Sequence, residues 1–135
     1  MTVKELSQLY WLNREIPRDE ERIAQLRVKA QSAPIPDMSG MPHGSGGNTS
    51  RTEKYAVELA SREKLLMNRK AERDRLQSFI NDIPDSLTRL IFSYRFENNL
   101  SWKEVAKKIG CGNTDESVKK RCYRYLDEEY NSRFV

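Results

Sequence analysis

Apolar positions recur at helical spacing from Val3 onward: Leu6, Leu9, Leu12, Ile16, Ile23, Leu26 and Ala30, with Tyr10 and Trp11 beside them. Within this set Leu9, Ile16, Ile23 and Ala30 fall seven apart. A heptad spacing makes a narrow seam suited to a partner helix, as in a coiled coil or helical hairpin, rather than the broad stripe of a globular core. Pro17 interrupts the run. It lacks a backbone donor and disfavours helical geometry at Ile16, so either the helix kinks there or a new one starts, with Asp19, Glu20 and Glu21 suiting its first turn. We expect a short helix followed by a longer one. Residues 32–50 hold three prolines and four glycines with no hydrophobic periodicity, which predicts a long loop. Either it is a plain connector between antiparallel helices, or Ile35, Met38 and Met41 dock on a partner or on the helical pair. After a Ser50 or Thr52 cap, a second long helix is predicted from Glu53 to Asp82. Its seam uses Tyr55, Leu59, Leu66, Leu76, Ile80 and Ile83, with Ala56, Ala60, Met67 and Ala71 on an adjoining strip. Arg62, Arg69 and Arg73 fall inside that seam and weaken the centre of the pairing.

Pro84 separates this arm from a C-terminal unit. Asp85 or Ser86 can cap the next helix, whose Leu87, Leu90, Ile91 and Tyr94 are spaced i, i+3, i+4, i+7 and predict its core face. Asn98 and Asn99 end it. Ser101-Trp102-Lys103-Glu104 then reads as a capping box, with the Ser101 hydroxyl accepting from the Glu104 amide and the Glu104 carboxylate reaching back to the Ser101 amide. Trp102, Val105, Ala106 and Ile109 make the buried face, and Gly110 follows where a left-handed residue turns the chain. A capped amphipathic turn with alanine four residues before glycine is the pattern of a helix-turn-helix. The following helix should begin at Asn113, Thr114 or Asp115, with Asn113 and Glu116 able to form a second capping box. Val118, Cys122, Tyr125 and Leu126 face inward against Trp102, Ala106 and Leu90. On the opposite side fall Ser117, Lys120 and Arg124, with Glu116 and Tyr123 to one flank and Arg121 to the other. The expected fold is all-α. A helical hairpin or coiled-coil arm at 1–83, with its Gly/Pro-rich loop at 32–50, precedes a three-helix helix-turn-helix domain at 84–135.

Composition adjusts this picture in two places. Apolar residues are 37% and charged residues 33% of the 135, so the core is modest and much helix surface is solvated. The net charge is only +4, yet residues 101–126 carry seven basic side chains against three acidic ones. That local excess is the electrostatic footprint expected for nucleic acid. Ser117, Lys120, Arg121 and Arg124 are the candidates to reach base edges or phosphates in a major groove, and Lys103, Lys107 and Lys108 to meet the DNA backbone. Tyr10, Trp11, Tyr94, Trp102, Tyr123 and Tyr125 are spaced as core or seam residues rather than as a base-stacking platform. Two cysteines and one histidine make neither a disulfide framework nor a zinc set, and no phosphate loop or nucleophile–base motif occurs, so no enzyme activity, metal or cofactor is expected. No apolar stretch approaches the roughly 20 residues of a membrane helix, and Met1 to Leu6 lack a signal peptide's apolar run. A cytoplasmic protein without membrane contact is expected.

The run from Leu87 through Phe92, Ser101, Trp102, Glu104 and Ala106 to Gly110 resembles the fourth-region helix-turn-helix of bacterial sigma factors. It is more similar to small phage-encoded sigma-like proteins, including the ArpU and RinA groups of late-gene transcriptional regulators. The N-terminal coiled segment and Ser39-Gly40-Met41-Pro42-His43-Gly44-Ser45-Gly46 resemble the arm and loop of one such phage family. The resemblance implies a phage or prophage regulator in a bacterial host, binding double-stranded promoter DNA with host RNA polymerase. Its N-terminal helices would then support homo-oligomerisation or the polymerase contact. One departure is the seven residues between Gly110 and Val118, a longer turn than the sigma-like pattern has, which alters the register of the reading helix. Two other readings stay open. One is a packaging protein of the small-terminase type; the other is a phage protein that inhibits a host factor through Arg62, Arg69 and Arg73.

Overall fold

The structure, a computed structural model, describes residues 1–31 and 47–133. Most of the expected loop, with Ile35, Met38 and Met41, lies outside the described residues. All regular structure among the described residues is helical: α1 (Val3–Leu6), α2 (Gln8–Gln31), α3 (Gly47–Asn81), α4 (Ser86–Phe92), a π-helical turn (Ser93–Glu97), α5 (Trp102–Ile109) and α6 (Asp115–Arg133). The protein is all-α, and no described helix is long and apolar enough to cross a membrane.

The short helix before the long one is α1, and its boundary is Ser7 rather than Pro17. Thr2 and Glu5 form its capping box, with the Glu5 amide donating to the Thr2 hydroxyl at 3.2 Å and the Thr2 amide to the Glu5 carboxylate at 2.8 Å. That bond from the Thr2 amide, with Arg75 beside it, holds the Glu5 carboxyl below its ordinary range. Pro17 sits inside α2, which continues through it. A proline in a helix interior costs roughly 3 kcal/mol. Burying Ile16 and Ile23 on either side, 1% and 3% exposed, contributes about 3–6 kcal/mol and offsets it. Helix α3 starts at Gly47, earlier than its expected cap.

Contacts gather the described residues into two units, one of residues 14–70 and one of residues 1–13 with those from 71 onward. In the first, α2 and α3 run antiparallel, as the pairing of Arg27 with Glu63 (2.7 Å) and of Lys70 with Glu20 (3.0 Å) requires. Arg69, an interruption of the α3 seam, is bracketed by Glu15 at 2.9 Å and Asp19 at 2.6 Å. The charge in the seam thus meets opposite charges from the facing helix, which sets the register where apolar contacts are sparse.

In the second unit, Leu76, Ile80 and Ile83 of α3 and its end are buried with the C-terminal helices. Phe79 lies 6.3 Å from Phe92 and 6.2 Å from Tyr125, ring centroid to centroid, while Phe92 lies 5.5 Å from Tyr125 and 5.4 Å from Phe96. This aromatic cluster decides which face of α4 turns inward. The buried set is Thr88, Ile91, Phe92 and Phe96, and Leu90, expected in the core, is 47% exposed. Two phenylalanine rings bury more area than a leucine and gain edge contacts with neighbouring rings. The π-helical turn, closed by the Asn98 amide donating to the Ser93 carbonyl, fits the extra residue that this face requires.

Candidate nucleic-acid interface

Helix α5 begins at Ser101, whose hydroxyl accepts from the Glu104 amide at 3.3 Å. The returning bond differs from expectation: the Glu104 carboxylate accepts from the Ser101 hydroxyl at 3.2 Å, not from its amide. Val105 and Ala106 are buried, and Trp102 and Ile109 are half-buried. The Arg95 guanidinium lies 4.6 Å above the Trp102 ring and is anchored by donating to the Leu100 carbonyl at 2.8 Å. A cation over an indole face attracts it electrostatically, so the π-helical turn and the start of α5 are tied together.

The turn is built from three consecutive positive-φ residues: Gly110 (69°), Cys111 (54°) and Gly112 (77°). The Gly110 amide closes α5 on the Ala106 carbonyl at 2.9 Å. The Gly110 carbonyl accepts from both the Asn113 amide (3.1 Å) and the Asn113 side chain (2.9 Å). Asn113 is therefore committed to the turn, and the cap of α6 is Thr114 with Ser117, not Asn113 with Glu116. The Ser117 amide donates to the Thr114 hydroxyl at 3.2 Å, the Thr114 amide donates to the Ser117 hydroxyl at 2.9 Å, and that hydroxyl donates to the Thr114 carbonyl at 2.9 Å. Asp115 and Glu116 occupy the first turn, where the helix dipole favours negative charge.

Val118, Cys122 and Leu126 are buried and Tyr125 packs in the aromatic cluster, as the periodicity of α6 predicts. Burial pushes the Cys122 thiol up to about 12, leaving it a packing group rather than a nucleophile. Outward from the same helix stand Lys119, Lys120, Tyr123 and Arg124, and from α5 Lys103, Lys107 and Lys108, all exposed. Ion pairs among the described residues engage none of these cations. Lys119, Lys120, Arg124, Lys103, Lys107 and Lys108 thus carry charge that no ion pair among the described residues neutralises.

Two residues expected on this face have other partners. Ser117 spends its hydroxyl in the cap. Arg121 donates from Nε to the Thr88 hydroxyl at 3.1 Å and from Nη2 to the Asp85 carboxylate at 2.9 Å, linking α6 to the start of α4. Asp85 is also the α4 cap, accepting from the Thr88 amide at 3.0 Å and hydroxyl at 2.7 Å. Those Thr88 bonds and Arg121 lower its carboxyl from 3.8 to about 2, so Arg121 faces a full negative charge at any ordinary pH. Only the fold brings these residues, 36 positions apart, together. Lys119 and Tyr123, one turn apart on α6, join the exposed face; the outward vector through Lys120 puts Tyr123 at its flank and does not single out Lys119, for which the i, i+4 spacing is the available signal.

No protein-family model matches the chain, and neither does a curated protein or a solved structure.

Proposed function

We propose that this protein is a double-stranded DNA-binding transcriptional regulator of the phage sigma-like kind, with α5 and α6 as its helix-turn-helix. The observation that carries the reading is the band of exposed cations, in no ion pair among the described residues, formed by Lys119, Lys120 and Arg124 on α6 and Lys103, Lys107 and Lys108 on α5 and displayed from two capped helices joined by a tight glycine turn. A phosphate backbone is the anion whose spacing suits cations spread over two successive helices, and the flanking acidic groups Asp115 and Glu116 lie at a helix start where they act on the dipole. Ser117 and Arg121 have structural roles in this reading. The helical pair of residues 14–70 supplies oligomerisation or the contact with host RNA polymerase.

Electrophoretic retention of duplex DNA, titrated against salt, tests it. Affinity should fall steeply with salt, and Lys120→Ala with Arg124→Ala should reduce the slope of log K on log salt by about two. Duplex retention unaffected by that pair of substitutions would rule out the assigned face.

A further inference from the structure

We propose that Tyr123 is the specificity-determining residue of this face, its ring meeting the 5-methyl edge of a thymine in the major groove. The inference rests on the duplex-DNA reading of the same helix and deepens it. Phosphate-contacting cations position a protein on DNA without reading its sequence, so Lys119, Lys120 and Arg124 leave open what selects a site. Among the described side chains of α6, Tyr123 is the one large hydrophobic group left exposed, at 40%. Every other outward neighbour is charged or engaged in the cap.

Tyr123 is also held in place. Its ring centroid lies 6.4 Å from that of Trp102 at an interplanar angle of 51°. Trp102 is in turn clamped from its other neighbour, Arg95, at 4.6 Å. A ring fixed by packing loses little conformational freedom on binding, so its contact area is realised as affinity instead of being spent on ordering. An apolar surface in a major groove discriminates thymine by its methyl group, the feature that distinguishes that base from cytosine and from uracil. Two flanking cations one residue and four residues away, Arg124 and Lys119, would bring phosphates to either side of it.

The test uses the full chain and a pool of random-sequence duplex DNA from which bound molecules are selected. The unaltered protein and Tyr123→Phe should select the same motif, with thymine at one position. Replacing that thymine by deoxyuridine should weaken both about fourfold, the equivalent of one buried methyl. Tyr123→Ala should still bind duplex with the same salt slope, lose the preference at that position, and bind the thymine and deoxyuridine duplexes equally. Tyr123→Gln, which keeps a long side chain over Trp102, should shift the preference there towards adenine. Selection of the unchanged motif by the Ala and Gln variants overturns the proposal while leaving DNA binding intact, as does equal binding of thymine and deoxyuridine duplexes by the unaltered protein. Failure of the unaltered protein to retain any duplex at low salt overturns the DNA reading itself, and the assignment of Tyr123 with it.

Discussion

Replacing Gly110 by alanine isolates what the turn between α5 and α6 demands of the backbone. Gly110 adopts φ 69° and ψ −146°, a combination outside the ordinary left-handed well and open almost only to glycine. A Cβ built there meets nothing within 4 Å, so the penalty carries no steric contribution from neighbours. The backbone strain costs about 1–3 kcal/mol, and the stiffer unfolded chain of alanine returns about 0.4–1 kcal/mol, leaving a net loss of about 1–2 kcal/mol. Cys111→Gly provides the opposite sign. Its φ of 54° burdens a non-glycine residue by about 1–2 kcal/mol, against about 0.5–1 kcal/mol for glycine's added freedom when unfolded, so that variant should gain a fraction of a kcal/mol. Urea unfolding followed by far-ultraviolet circular dichroism measures both, the Gly110→Ala midpoint falling by about 0.5–1 M at constant m. Since the Gly110 carbonyl holds both donors of Asn113, the same strain should disturb the start of α6 and weaken DNA retention. An unchanged midpoint for Gly110→Ala would refute the strained-turn account, and a destabilised Cys111→Gly would refute its sign.

Phe92→Ala should destabilise the second unit by about 3–5 kcal/mol, because the ring is fully buried against Phe79, Phe96 and Tyr125; Leu90→Ala, at an exposed site, should cost far less, and paired urea titrations compare them. Asp85 has its folded-state carboxyl depressed from 3.8 to about 2, so its stabilising effect is complete above about pH 4 and is lost as pH falls towards 2. Asp85→Asn should therefore flatten the acid limb of stability between those values, leaving the part due to Glu5 and Glu72, whose carboxyls are also held low, the latter by Arg75. A steeper acid limb in that variant would contradict the assignment. In a thiol titration of the native protein only Cys111 should react, with Cys122 released by urea, since one is exposed and the other buried with its thiol pushed up to about 12. Two fast thiols in buffer alone would place Cys122 outside the core.

Much of the candidate interface was legible residue by residue. The Ser101 cap, the inward set Val118, Cys122 and Leu126, the positive φ at Gly110 and the outward Lys120 and Arg124 follow from interactions within about one helical turn, which a linear sequence displays. The same holds for the antiparallel helical pair, whose heptad seam is a periodic signal. What the sequence did not display was any choice between competing partners. Leu87, Leu90, Ile91 and Tyr94 make as regular a stripe as the observed one, and α4 turned Phe92 inward because Phe79 and Tyr125, distant in sequence, supply rings to receive it. Pro17 reads as a helix boundary by local energetics, and burial of Ile16 and Ile23 on either side of it overrides that preference. Arg121 is by periodicity another cation at the groove-facing flank; only the approach of α4 gives it Asp85 and Thr88, a partner stronger than solvent. The chain by itself determined that it is helical, the Asp85 and Ser101 caps and the sign of charge on the outward face of α5 and α6. The tertiary structure decided which side chains of that face are already spoken for, because burial and pairing energies depend on neighbours that local periodicity does not contain.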